Sequence, residues 1–139
     1  MEQFKEFIKD EKSISKNESK NYNSLVFAFI GDAVFSLFVR DYYAIKSTAK
    51  AGVLHKNTSN IVRAKTQSML LDKLEDILTE EEKEIAKHAR NIHTNNVAKN
   101  SNLEEYKKAT SFEAILGYLH ITNQRDRLNE ILNICSEEF

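Results

Sequence analysis

The sequence predicts an all-α fold: a single helical domain organised around two buried central helices. Three observations carry that expectation. The 139-residue chain has no proline and only three glycines, Gly31, Gly52 and Gly117, so it lacks the turn chemistry that an all-β fold draws on. Apolar residues make up 41% of it, enough for one modest core and too many for a disordered chain. Its two most apolar segments, residues 25–39 and 109–121, run in helical phase. The longer of these is interrupted by Gly31, Asp32 and Ser36 and falls short of the roughly 20 residues needed to span a bilayer. With a charged N-terminus that has no signal-peptide pattern and the lone Cys135, the expectation is a cytoplasmic protein with no membrane partner.

Taken in order, residues 1–12 place Phe4, Phe7 and Ile8 on one side of a short amphipathic helix. Residues 13–23 are polar and predict a linker, so 1–23 form an N-terminal extension and 24–139 the domain proper. Ser24 is the expected N-cap of the first central helix, residues 25–43. Residues 44–52 predict a loop. Residues 57–78 carry Ile61, Ala64, Met69, Leu70, Leu74 and Ile77 in helical phase. Thr79 followed by Glu82 matches a capping box and opens a helix to about residue 90. The asparagine-rich stretch 92–102 predicts an irregular polar loop. The second central helix follows at about 109–121, and a last helix spans about 125–135.

The net charge of −1 does not by itself suggest a polyanion partner, but the distribution does. Residues 42–71 hold no acid and include Lys46, Lys50, Lys56, Arg63 and Lys65; residues 85–103 are again acid-free, with Lys87, Arg90 and Lys99. The acidic block 72–84 separates them. Two cationic stretches around one anionic block suit a face for a polyanion opposite a solubilising face, although clumping on solvated helices gives the same pattern.

Two acids stand out. Asp32 is the only charge within residues 25–39, and Glu113 the only acid or base, histidine aside, within 111–121. An ionised carboxylate in such surroundings costs several kcal/mol unless it is paired. Each has small neighbours four residues away, Ala28 and Ser36 for Asp32, Ala109 and Gly117 for Glu113, which would let two helices approach closely. If they cross there, the carboxylates meet, and like charges that close call for a proton or a cation. Magnesium accepts such a pair of oxygen ligands and completes its shell with water and phosphate. Two alternatives stay open: each acid stands at the solvent edge of its own helix, or Glu113 pairs with Arg40 or Arg90.

The segment Phe29-Ile30-Gly31-Asp32-Ala33-Val34 resembles the FLGDAVL signature of ribonuclease III catalytic domains. The segment Phe112-Glu113-Ala114-Ile115-Leu116-Gly117-Tyr118-Leu119 resembles the family's FEALIGAIYL segment, in matching order and separation. Together with Arg90-Asn91 and Lys99-Asn100, and with no room for a following duplex-RNA-binding domain, the pattern is similar to the Mini-III subgroup. Two positions depart from the four-carboxylate family site: Ala28 stands where a glutamate is usual and Thr110 where an aspartate is usual. The reduced set resembles the Mini-III pattern.

The resemblance implies metal-assisted hydrolysis of double-stranded RNA, with Mg²⁺ held by Asp32 and Glu113, products ending in 5′-phosphate and 3′-hydroxyl, and maturation of large-subunit (23S) ribosomal RNA precursor. Thr110 would hold a metal-bound water, or simply cap its helix. Lys56, Arg63, Lys65, Arg90, Asn91, Lys99 and Asn100 are the candidate RNA contacts. A homodimer is implied, with Phe29 in its interface. The rival expectations are a non-catalytic RNA-binding or ribosome-associated protein on the same fold, and a helical dimerisation module.

Overall fold

The computed structural model describes residues 13–46, 49–92 and 102–139. The helix expected over residues 1–12, and Lys99 and Asn100, lie outside the described residues. Within them all regular structure is helical: α1 Lys16–Ser19, α2 Ser24–Lys46, α3 Ala51–Val62, α4 Ala64–Leu74, α5 Glu80–Asn91, α6 Leu103–Ile121 and α7 Arg125–Cys135, ending in a 3₁₀ turn at Ser136–Glu138.

The architecture follows from how closely α2 and α6 approach. A Cβ added at Gly31 would sit 1.7 Å from the Glu113 carbonyl oxygen, and one at Gly117 would sit 1.8 Å from that of Phe27. The two helices therefore touch backbone to backbone, with Ala28 and Ala109 buried beside the contact. Phe27, Phe35 and Val39 of α2 interlock with Phe112, Ile115, Leu116 and Leu119 of α6, all essentially solvent-free. Phe35 meets Phe112 edge-on, ring centroids 5.0 Å apart, a geometry that the ring quadrupoles favour. The remaining helices wrap this pair: α4 contributes Leu70 and Leu74, α5 Ala89, and α7 Leu128, Ile131, Leu132 and Cys135. The Phe139 ring closes the far end of α2 against Phe35, Phe38, Tyr42 and Tyr43. Burial pushes the Cys135 thiol up to about 12, so it packs as a small apolar group.

Several local expectations are corrected. Ser24 is not the cap of α2. The Asn23 side chain accepts from Leu25 N–H (2.8 Å), while the buried Ser24 hydroxyl lies 2.7 Å from His88 Nδ1 and ties α2 to α5. Residues 13–23 are more than a linker: Ser15 and Glu18 form a capping box around α1, and Ile14 N–H donates to the Ile121 carbonyl (2.8 Å). The apolar phase across 57–78 does not make one helix. The chain breaks at Arg63, whose ψ of 158° is extended; α3 runs from Ala51 to Val62 and α4 follows as a separate helix from Ala64. The second central helix begins at Leu103, capped by Asn102, so Thr110 lies inside it rather than at its start. The capping box at Thr79 and Glu82 forms as read from the sequence.

That box anchors a second tie. Glu82 is buried and accepts from Arg127 at both oxygens, Nε to Oε2 and Nη2 to Oε1, each 2.8 Å. Arg127 Nη2 also donates to the Ile77 carbonyl (2.7 Å). Burial works to raise the Glu82 carboxyl, but Arg127 and Thr79 hold it below its ordinary value. Removing one partner of such a pair leaves an uncompensated charge. Arg127→Met is expected to destabilise the fold by about 3 kcal/mol, read by urea denaturation at neutral pH. Because the Glu82 carboxyl is depressed, that contribution is full at neutral pH and lost as the pH falls through its folded value.

Candidate active site

The α2–α6 contact places the two lone acids together. Asp32 follows Gly31, and Gly31 lies against the Glu113 backbone. The Asp32 side chain is exposed and Glu113 partly buried, so the pair sits at the solvent edge of the crossing, not sealed inside it. The two carboxyls act on one another electrostatically. Burial first, then the nearby Asp32 carboxylate, push the Glu113 carboxyl up to about 8, against an opposing pull from the Gln67 amide. No cation of the described residues offsets that push. Arg90, an open alternative partner, pairs instead with Glu104.

Gln67 is the site residue that sequence reading missed. It is 2% exposed, its Nε2 donates to the Val62 carbonyl (2.9 Å), and its amide works to lower the Glu113 carboxyl. The signal that could have found it is the one that found the acids: a polar residue in the buried phase of a helix, here between Ala64 and Leu70. Being uncharged, it raises less alarm in a sequence.

The pair fits a divalent cation on the chemistry of its donors. Two carboxylates of like charge, partly desolvated and without a cation among the described residues, can coexist ionised only around added positive charge. Among the described residues no group of three or more acidic, histidine or cysteine side chains is placed to hold a metal, so most of the coordination shell would be left to water and phosphate, as magnesium tolerates. Thr110 stands three residues before Glu113, partly buried, its hydroxyl donating to the Tyr106 carbonyl (2.9 Å).

The candidate RNA contacts are spread over three elements. Lys56 is exposed on α3, Arg63 at the α3–α4 break, Lys65 on the first turn of α4, and Arg90 and Asn91 at the end of α5. Arg90 is engaged by Glu104 rather than free. Phe29 is 80% exposed, pointing away from the core that Phe27 and Phe35 fill.

With this geometry in view, comparison with known proteins defines the class first: residues 25–124 match the ribonuclease III domain, a span holding both acids and the whole α2–α6 crossing. Proteins named Mini-ribonuclease 3 are similar over most of the chain. That of Enterococcus faecalis is 39% identical over 118 residues, 84% of this chain and 89% of the relative. That of Clostridium tetani is 39% identical over 121 residues, 86% and 80%. The crystal structure of a Fusobacterium nucleatum protein superposes with a TM-score of 0.77 at 35% identity, covering 85% of this chain and 94% of the other. The chain belongs to the Mini-ribonuclease 3 family. No helix among the described residues is long and apolar enough to cross a membrane.

Proposed function

We propose that the protein is an endoribonuclease that hydrolyses double-stranded RNA at the Asp32–Glu113 pair, with Mg²⁺ as its cation. The observation that carries this reading is the meeting of two carboxyl groups at a helix crossing with no cation among the described residues to offset them. When bound, the ion supplies Lewis acidity toward water and the scissile phosphate. The chain's own contribution is geometric. The glycine contact sets the spacing of the acids, Asp32 faces solvent where substrate arrives, and Glu113 yields its proton when the ion is held. The Thr110 hydroxyl, its hydrogen committed to Tyr106, retains lone pairs that can accept from a water in the site.

Duplex RNA is recognised through phosphates and 2′-hydroxyls rather than base edges. In this reading Lys56, Arg63, Lys65, Arg90, Asn91, Lys99 and Asn100 make those contacts, the substrate is large-subunit ribosomal RNA precursor in the cytoplasm, and the products carry 5′-phosphate and 3′-hydroxyl ends. Incubating the protein with a plain RNA duplex, with and without Mg²⁺, tests it. Metal-dependent cutting supports the reading; salt-sensitive binding without cutting would make the protein a structured-RNA binder on the same fold.

The protein acts as a homodimer in this proposal. Val26, Phe29 and Leu37 are 41%, 80% and 61% exposed and, with exposed Ala33, form one stripe along α2. An apolar stripe on the central helix of so small a chain suits a self-complementary two-fold contact. Phe29→Asp is expected to shift sedimentation from dimer to monomer without unfolding the chain, since its side chain takes no part in the core.

A further inference from the structure

We propose that the cleft between α2 and α3, built around Arg40, Thr58 and the first turn of α3, is a phosphate site that holds the substrate strand by a backbone phosphate flanking the scissile one. The inference rests on the nuclease reading above and concerns residues that reading does not use. It starts from side chains without partners. Arg40 is an alternative partner for Glu113 on sequence grounds, yet its exposed side chain pairs with no acid among the described residues. Thr58 is 3% exposed, and its hydroxyl makes no hydrogen bond among the described residues. Both line one cleft of about 230 Å³, together with Ala44 of α2 and Ala51, Leu54 and His55 of α3.

The chemistry of that lining selects an anion. A guanidinium, a hydroxyl and an imidazole all donate hydrogen bonds, and no carboxylate lines the cleft. Ala51, His55 and Thr58 share one face of α3 at helical spacing, so the cleft takes in the N-terminal turn of that helix. The turn holds no acid, and its N-cap, Lys50, makes no side-chain cap bond, so its N–H groups and the helix dipole add positive potential. A hydroxyl buried without a partner is costly, and an oxygen ligand in the cleft removes that cost. Position decides which anion it is. Arg40 lies eight residues beyond Asp32 on the exposed side of α2, about 12 Å of helical rise. A strand cut at Asp32 carries a phosphate at every nucleotide, so a backbone running along α2 brings another one to Arg40. Arginine takes a phosphate through paired N–H groups, which fixes where the strand sits and reads no base.

The test measures the Kd of a fluorescently labelled plain RNA duplex without Mg²⁺, over a range of salt, for wild type, Arg40→Met and Thr58→Val. Arg40→Met is expected to raise Kd about ten-fold or more and to flatten the slope of log Kd against log salt by about one. Thr58→Val, which keeps the shape and removes the hydroxyl, is expected to raise Kd about three-fold or more with the slope unchanged. Inorganic phosphate at constant ionic strength should displace the duplex from wild type more readily than from Arg40→Met. A folded Arg40→Met protein with wild-type Kd and slope overturns the proposal, as does a Thr58→Val protein altered in melting alone. Phosphate binding that is lost in Arg40→Met while the duplex Kd stays put marks a free-anion site and overturns the assignment to RNA. Should Arg40→Met fail to fold, Arg40→Lys keeps the charge without the paired donors; it is expected to weaken Kd with the slope kept, and an unshifted Kd is the same refutation. A wild type that cuts duplex RNA beside an unshifted Arg40→Met refutes this site alone. A wild type that neither binds nor cuts duplex RNA refutes the nuclease reading and the site with it.

Discussion

Glu113→Gln is expected to lower duplex-RNA cleavage by about 10³-fold or more while raising the melting temperature of the metal-free protein. The two effects share one cause. The site holds two carboxyls that oppose each other's ionisation, and burial adds to the opposition, so Glu113 is pushed up to about 8. In the proposed reading a cation would turn that opposition into coordination. Removing one charged ligand forfeits several kcal/mol of charge stabilisation at the phosphate, and each 1.36 kcal/mol is about ten-fold in rate. Without metal the same substitution relieves a like-charge contact.

The pH dependence follows with its sign. The folded carboxyl titrates above its ordinary value of 4.5, so its stabilising effect is complete below that value and is lost as the pH rises through about 8. The metal-free wild type should therefore melt progressively lower as the pH is raised across that range. The Glu113→Gln protein should lack that decline, and Mg²⁺ should oppose it in wild type. Since binding the ion displaces a proton, the Mg²⁺ concentration needed for cleavage should fall as pH rises. Asp32→Asn should lose cleavage equally, with a smaller change in melting because Asp32 is exposed. A Glu113→Gln protein that still cuts would remove the pair from the chemistry.

Gly31→Ala is expected to destabilise the fold by about 3 kcal/mol or more and to lower the melting temperature by roughly 10 °C. Helix propensity predicts the opposite sign, because alanine is better than glycine in a helix by about 0.5–1 kcal/mol. Sterics decide. The new Cβ would lie 1.7 Å from the Glu113 carbonyl oxygen, and the obstacle is backbone rather than a flexible side-chain tip. The helices must separate, which loosens every contact between Phe35 and Phe112 and draws the two carboxylates apart. Gly52→Ala is the matched control. Nothing lies within 4 Å of its added Cβ, so there propensity alone acts, and a gain of up to about 0.5–1 kcal/mol follows. Calorimetric melting of both variants checks the contrast; equal shifts would disprove close packing at the crossing.

How much of this was legible beforehand depended on the kind of signal. Glu82 three residues after Thr79 announced a helix start because a capping box is satisfied locally. Ser24 looked like a cap by the same local logic, but His88, distant in sequence, claimed its hydroxyl and Asn23 did the capping. The single helix read across 57–78 failed because apolar phase continues through the break at Arg63, and phase records which residues are buried without recording a change of direction. Phe29, Phe27 and Phe35 are chemically alike in the sequence; family resemblance singled out Phe29, and the structure shows it turned outward while the other two fill the core.

The chain by itself determined the helical class, the two oily helices and the pair of acids set into them, because a charge in an apolar run is costly wherever it folds. It also carried the small residues that permit close approach. The tertiary structure decided which turn of α6 lies against which turn of α2, and hence that Asp32 meets Glu113, that Arg90 goes to Glu104, and that Gln67 reaches the site from α4. Periodicity along one helix fixes a face; only packing of whole helices fixes what that face confronts.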